Sequence, residues 1–346
     1  MKILHVLSSN RYSGAENVVC QIMGMFDGEI EMCYCSPDGD IANTLKEKGI
    51  QFLPLKKFSV KEIKRAVEQY KPDIIHAHDL KAIVMVGCIS KRYRKVAHIH
   101  VNDKEKMSKL SLKSIILKWF SKKYEHLFWV SNSCLQDYKY KSSIQHKSSV
   151  LYNIIDTNKL ENLVLQDDKE YNYDIVYLGR LTYQKDPIRL IEIAKQLKLI
   201  KPNFKMAIVG TGDMFEEVKS AVIDSDLTDN VDCLGFMRNA YKLLSQSKVM
   251  IMTSRFEGTP MSALESLALG TPIVSTKTDG MVDLLKDDYN GMLYNNNDEA
   301  VKFIVDVIEN EDKQRYLTNN CIEFSNKYND MNDYKNKLKS IYAQGK

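Results

Sequence analysis

Short apolar runs without alternation, each followed by a polar turn and an amphipathic stretch, repeat through the first half of the chain. Strand-sized runs stand at 3–7, 31–35, 51–55, 73–77, 96–100, 126–130 and 149–152. Between them, 14–26, 41–48, 60–70, 81–91 and 110–123 carry apolar residues at helical spacing. Strands apolar on both faces and separated by helices are what a parallel sheet covered on both sides requires. A doubly wound α/β domain is therefore expected. The rhythm restarts with strands at 174–178, 204–209, 231–234, 249–252 and 272–275 and helices at 187–199, 214–225 and 260–269. Helices fill most of 298–346, and the acidic stretch 161–172 reads as a linker. The expected division is one domain over 1–165 and a second over 166–327, with a last helix near 328–346 packing back on the first. A length of 346 residues suits two domains of ordinary size. Two such sheets in tandem would gather their carboxyl ends around one crevice, where ligands of open α/β sheets bind.

Charge divides along the same line. Residues 1–150 hold 25 Lys and Arg against 15 Asp and Glu, a balance of +10, and the remainder of the chain carries −6. An anionic surface or ligand would meet the first half more readily. Seven cysteines (20, 33, 35, 88, 134, 233 and 321) lie scattered, with no paired Cys-x-x-Cys to suggest zinc. Reduced, mostly buried thiols in a cytoplasmic protein are expected. The opening apolar stretch is too short for a secretory signal and no apolar run nears the ~18 residues of a membrane span, which again points to the cytoplasm.

Four segments carry chemistry. SRFEGTPMSALE, residues 254–265, follows a strand and opens a helix. Pro260 suits a first helical turn, and the N–H groups near Met261 and Ser262 would then point free toward an anion. Glu257 and Glu265, eight apart, are spaced to hold opposite ends of one extended ligand. LGRLTYQKD, residues 178–186, sets Arg180 and Lys185 in one loop. Fixed cations there would speed the departure of a diphosphate, on which negative charge grows as its bond breaks. SGAE, residues 13–16, places Gly14 where backbone can approach a phosphate. His100 ends a strand, in AHIHVN over 97–102.

The first of these segments, with its continuation ALGTPIVST over 268–276, resembles glycosyltransferase family 4, whose marker is Glu-x7-Glu in this setting. The resemblance implies the GT-B fold, two doubly wound Rossmann-like domains facing across a cleft. It implies transfer of a hexose-type unit from a nucleoside-diphosphate sugar, UDP-linked, with retention of anomeric configuration. By the same resemblance Glu257 faces the donor sugar hydroxyls, Glu265 accepts from the ribose, and Arg180 and Lys185 stabilise the departing diphosphate. His100 touches the sugar beside the reacting carbon, and backbone near Met237 meets the nucleobase. No Asp-x-Asp metal site is apparent, so no cofactor and no metal are expected, the cations and helix dipole replacing one. Three departures stand out: Ser13 replaces a first glycine, Ile154 interrupts NIID at 153–156, and DGMVD at 279–283 replaces Gly-Gly-x-x-Glu.

The expected acceptor is a glycan, lipid-linked, in capsule or exopolysaccharide biosynthesis; no nucleic-acid partner is expected. Residues 104–124, from Lys104 to Tyr124, read KEKMSKLSLKSIILKWFSKKY and mix seven lysines with Leu112, Ile116 and Trp119. They form either a helix packed on its own sheet or a surface helix that meets anionic lipid at the inner face of the membrane. His76 and His78, at another strand end, are read as structural. Two rivals remain at this stage. A nucleotide-sugar epimerase would need an acidic proton-abstracting residue that no segment argues for. A non-catalytic sugar-binding module would tolerate loss of Arg180, Lys185 or Glu257, all of which are present.

Overall fold

The computed structural model describes residues 1–100 and 111–344. The chain divides into two compact units, Met1–Asn153 with Met331–Lys346, and Ile154–Asp330. In the first, seven parallel strands run β1 (Lys2–Val6), β2 (Glu31–Pro37), β3 (Phe52–Leu55), β4 (Ile74–His78), β5 (Arg94–Ile99), β6 (His126–Trp129) and β7 (Ser148–Val150), in the order 3-2-1-4-5-6-7. In the second, six run β8 (Ile175–Leu178), β9 (Met206–Val209), β10 (Val231–Gly235), β11 (Val249–Met252), β12 (Ile273–Thr276) and β13 (Gly291–Tyr294), in the order 10-9-8-11-12-13. All the central strands are buried along almost their whole length, β4, β9, β11 and β12 entirely. This is the physical reason that the sequence shows apolar runs rather than alternation. Each sheet is doubly wound, and its order reverses beside its first strand. That reversal leaves a crevice at the carboxyl ends of β1 and β4 in one unit, and of β8 and β11 in the other.

The break falls at Asn153, earlier than the expected boundary at 165. The start of the stretch expected as linker is helical: Thr157–Leu165 is a helix, capped by the Asp156 carboxylate accepting from the Lys159 N–H at 3.0 Å. It belongs to the second unit, where Asn239 donates to the Leu163 carbonyl at 2.7 Å. The acidic residues Asp167, Asp168 and Glu170 follow the helix in irregular chain. The last helix, Met331–Ala343, belongs to the first unit and buries Tyr334, Leu338 and Tyr342, one turn apart. Arg94 clamps its end by donating from both Nη atoms to the carbonyls of Tyr342 (2.9 Å) and Ile341 (3.1 Å).

Helices Asn132–Asp137, Tyr241–Gln246 and Asp279–Leu284 were not anticipated, being six residues each and too short to show a period. Strand β13 was also missed. It is short and sits at the sheet edge, and Gly291 opens it, where a Cβ would lie 2.1 Å from the Ile273 carbonyl oxygen. Of the cysteines, Cys88 is exposed, Cys233 is half-buried and the other five are buried, all free.

Candidate functional site

In the second unit the sheet order makes β8 and β11 neighbours, so the loops leaving them meet. The loop after β8 is pressed against the loop after β9. Gly179 N–H donates to Val209 O and Leu181 N–H to Thr211 O, both at 3.0 Å. Only glycine fits opposite: a Cβ on Gly210 would lie 2.0 Å from the Gly179 carbonyl oxygen, and one on Gly212 2.1 Å from that of Leu181. Arg180 emerges from this loop exposed, and its guanidinium pairs with no carboxylate among the described residues. Lys185 closes the single turn Tyr183–Lys185, before Pro187 starts the next helix.

The loop after β11 is sewn to that turn. Arg255 N–H donates to Gln184 O (2.8 Å), Gln184 Nε2 to Phe256 O (3.0 Å) and Thr253 Oγ1 to Lys185 O (2.8 Å). The seam delivers Lys185 Nζ to 2.5 Å from Glu257 Oε1, with both side chains largely buried. Ser254 Oγ donates to the same oxygen at 2.6 Å, and Thr276 Oγ1 holds the Ser254 carbonyl at 2.6 Å. Behind them Gly280 lies so close to the loop that a Cβ would fall 1.1 Å from the Gly258 carbonyl oxygen. A buried ion pair of this kind is stable only while both partners remain, because either charge alone would be stranded.

Helix Met261–Ala268 follows at once. Pro260 is its extended N-cap rather than its first residue, and no side chain caps the helix. The N–H groups of Met261 and Ser262 therefore belong to the open end, where the helix dipole favours an anion. One turn on, Glu265 is half-buried and accepts from Tyr241 Oη at 3.3 Å. Burial pushes its carboxyl up to about 7, against the opposing pull of that hydroxyl. Met237, just past β10, is half-buried.

The first unit holds the other two expected residues. Gly14 opens helix Gly14–Met25 and is exposed; Ser13, its N-cap, turns its hydroxyl to Glu16 Oε2 at 2.5 Å instead of capping the helix. His100 follows β5, is buried, and its Nε2 lies 3.0 Å from His78 Nδ1.

Residues 163–324 match the family described as Glycosyl transferases group 1, and residues 27–159 match Glycosyltransferase Family 4. The chain belongs to the family 4 glycosyltransferases. An uncharacterized glycosyltransferase of Methanocaldococcus jannaschii is 25% identical over 77% of this chain and 74% of its own length. Two others from that archaeon are matched over 58% and 42% of theirs. A UDP-Gal:alpha-D-GlcNAc-diphosphoundecaprenol alpha-1,3-galactosyltransferase of Escherichia coli is 26% identical over 86% of this chain and 85% of that one. Among solved structures, HepE of Anabaena in complex with UDP-glucose superposes with a TM-score of 0.84 at 20% identity, covering 99% of each chain. The fold is GT-B, with two Rossmann-like units.

Within this glycosyltransferase, sequence reasoning treated Lys185 and Glu257 as separate ligand-facing groups, whereas the fold pairs them with each other. It missed Ser254, Tyr241 and Gly280, which hold the two glutamates and their loop. Gly280 was the one with a signal, since it stands in a segment already noted for its departure from the family pattern. Of the lysine-rich segment, residues 104–110 lie outside the described residues. The remainder forms helix Leu112–Ser121, with Leu117 buried and Leu112, Ile115 and Trp119 exposed. Leu112 and Trp119 thus face outward as expected, but Ile115 does so in place of Ile116, which is half-buried. Among the described residues no helix is long and apolar enough to cross a membrane.

Proposed function

We propose that this glycosyltransferase moves a hexose from a UDP-linked donor, with retention, to a lipid-linked glycan acceptor in the biosynthesis of a surface polysaccharide. The observation that carries the donor half is the buried Lys185–Glu257 pair in the loop that leads into the uncapped helix Met261–Ala268, with Glu265 one turn inside that helix and Arg180 exposed in the loop after β8, without a carboxylate partner among the described residues. In this reading the diphosphate meets Arg180, Lys185 and the N–H groups of Met261 and Ser262. As the sugar–phosphate bond breaks, charge grows where these fixed donors stand, so they favour the transition state over the ground state. Glu257 receives sugar hydroxyls, Glu265 the ribose and the backbone near Met237 the base. Gly14 gives close approach to phosphate, and His100 touches the sugar. These cations do the work of a divalent ion, and no metal is assigned to the donor site.

The donor assignment draws support from HepE, solved with UDP-glucose, and the acceptor from the Escherichia coli relative, named for a diphosphoundecaprenol substrate. The +10 balance of residues 1–150 and the exposed Leu112, Ile115 and Trp119 support docking on an anionic membrane face. A panel of nucleotide sugars, each scored by thermal stabilisation of the protein, tests the donor. A true donor at ~100 times its Kd adds about 2.7 kcal/mol. Stabilisation by none of the uridine-linked sugars would overturn the donor class.

A further inference from the structure

Five histidines cluster on one face of the first sheet, with His126 farther along the same face. Strands β1, β4 and β5 lie side by side, His5 is in register with His76, and His78 with His98. His76 and His78 are two apart on their strand, as are His98 and His100, so each pair projects to the same side. None of the five rings is more than 7% exposed. Stacked neighbours stand 4.2 Å apart for His76 and His78 and 4.3 Å for His98 and His100.

Their hydrogen bonds do not close. His5 Nδ1 lies 3.0 Å from His78 Nε2, His78 Nδ1 lies 3.0 Å from His100 Nε2, and His76 Nδ1 lies 2.8 Å from the Tyr342 hydroxyl. The other nitrogens, His5 Nε2, His76 Nε2, His100 Nδ1 and both of His98, are buried without a partner among the described residues. A neutral imidazole carries one donor and one acceptor, and buried polar groups are normally satisfied. Among the described residues His98 satisfies neither, and beside the histidine rings it faces the apolar Phe128 at 5.8 Å.

We propose that His78, His98 and His100 bind one first-row transition-metal dication of the zinc class. Their ligand nitrogens all lie within 4.8 Å of one another. Two nitrogens bound tetrahedrally at ~2.0–2.1 Å sit about 3.4 Å apart, so the 3.0 Å between His78 Nδ1 and His100 Nε2 opens only slightly to admit an ion. With Nδ1 of His78 on the metal, its Nε2–H donates to His5 Nδ1, the outer hydrogen bond that fixes the tautomer of a ligating histidine. His98 gains the partner it lacks. Burial keeps all three rings in the neutral form that carries a lone pair. A donor set made only of imidazoles suits zinc, cobalt, nickel or copper, not magnesium or calcium, which take oxygen ligands. The neighbouring set His5, His76 and His78 also converges. A neutral His78 offers one lone pair, so the chain holds a single ion, and only the first set relieves His98. The metal would tie β4 to the end of β5 and fix where His100 stands.

The test uses the full chain without an affinity tag, freed of metal by a chelator and dialysed. Calorimetric titration with Zn2+ is expected to give one ion per chain and a raised thermal midpoint. Co2+ is expected to give the visible bands of a tetrahedral nitrogen-ligated site. His98→Leu should weaken Zn2+ binding by about 100-fold or more, while His126→Ala, outside the cluster, should not. Absence of stoichiometric binding by the wild type overturns the proposal, as does undiminished binding by folded His98→Leu. Should His98→Leu fail to fold, the wild-type Co2+ spectrum decides: thiolate charge-transfer bands, or no tetrahedral bands, refute a histidine site.

Discussion

If Glu265 receives the ribose, donor affinity must be tied to pH, and the tie is calculable. Burial raises its carboxyl to about 7 in the free protein, whereas a hydroxyl donor needs the carboxylate. At pH 8 about ten chains in eleven are ready; at pH 6 about one in eleven is, and forcing ionisation then costs about 1.4 kcal/mol. The donor Kd should therefore be flat above pH 8 and rise about tenfold per unit below 7. The rise stops when the protonated form binds instead. A hydrogen bond to a charged group is worth about 1.5–3 kcal/mol, so levelling is expected one to two units below 7. Binding at pH 7 should release about half a proton, read by calorimetry in two buffers of different ionisation heat. The ligand should be an intact nucleotide sugar, whose diphosphate does not titrate in this range. His100, held down at about 3, stays neutral throughout and cannot supply the slope. Glu265→Gln should bind about tenfold or more weakly at pH 8 and show no slope. A wild-type Kd unchanged between pH 6 and 8, or a slope that survives Glu265→Gln, refutes the assignment.

Lys185→Ala should destabilise the fold by about 3–5 kcal/mol by stranding buried Glu257, and Lys185→Ala/Glu257→Gln should recover most of the loss in chemical denaturation. Arg180→Ala, at an exposed position, should leave stability unchanged and lower kcat more than donor affinity. Gly280→Ala forces the Gly258 loop to move and should cost about 1–3 kcal/mol together with loss of donor binding, seen as a lower Tm with no donor-induced shift. Turnover should be the same with and without added Mg2+ or Mn2+, oxygen-seeking ions that the histidine cluster does not hold; a requirement for either would sink the cationic donor site. Sedimentation with anionic vesicles should be weakened by salt and by Lys113→Glu/Lys122→Glu/Lys123→Glu, and a wild type that ignores such vesicles at low salt would remove the docking face.

The core of the fold was legible because buried parallel strands write themselves as apolar runs, and most predicted strands and long helices lie within two residues of their observed places. What escaped was what periodicity cannot register. The six-residue helices span fewer than two turns, and the helix at Thr157–Leu165 buries only Leu160 and runs into the acidic stretch 167–170, so it passed for linker. At the site, residue types were readable from the Glu-x7-Glu segment, but partnerships were not. Nothing in the spacing of Lys185 and Glu257, 72 positions apart, announces a 2.5 Å contact. That contact follows from the adjacency of β8 and β11, a property of strand order. His5 escaped for the same reason, since its neighbours are His76 and His78, across a strand boundary.

The pairing of Lys185 with Glu257 bears on how the donor would be received. Among the described residues both hydrogen bonds to the glutamate fall on one oxygen, Oε1, which takes Lys185 at 2.5 Å and Ser254 at 2.6 Å. Oε2 is thereby left to a sugar hydroxyl, with the carboxylate plane already fixed. The ammonium of Lys185 has three donors and commits one to Glu257, so it can turn another to phosphate without breaking the pair. Neither residue must then be stripped of its partner as the donor enters, and the cost of burying two charges is met in folding rather than in binding. A lysine so tethered loses little freedom when phosphate arrives, and its charge stands where negative charge grows as the bond breaks. Arg180, exposed and with no carboxylate partner among the described residues, lacks that preorganisation. Of the two cations, Lys185 should therefore carry the larger share of transition-state stabilisation, and Arg180 the smaller.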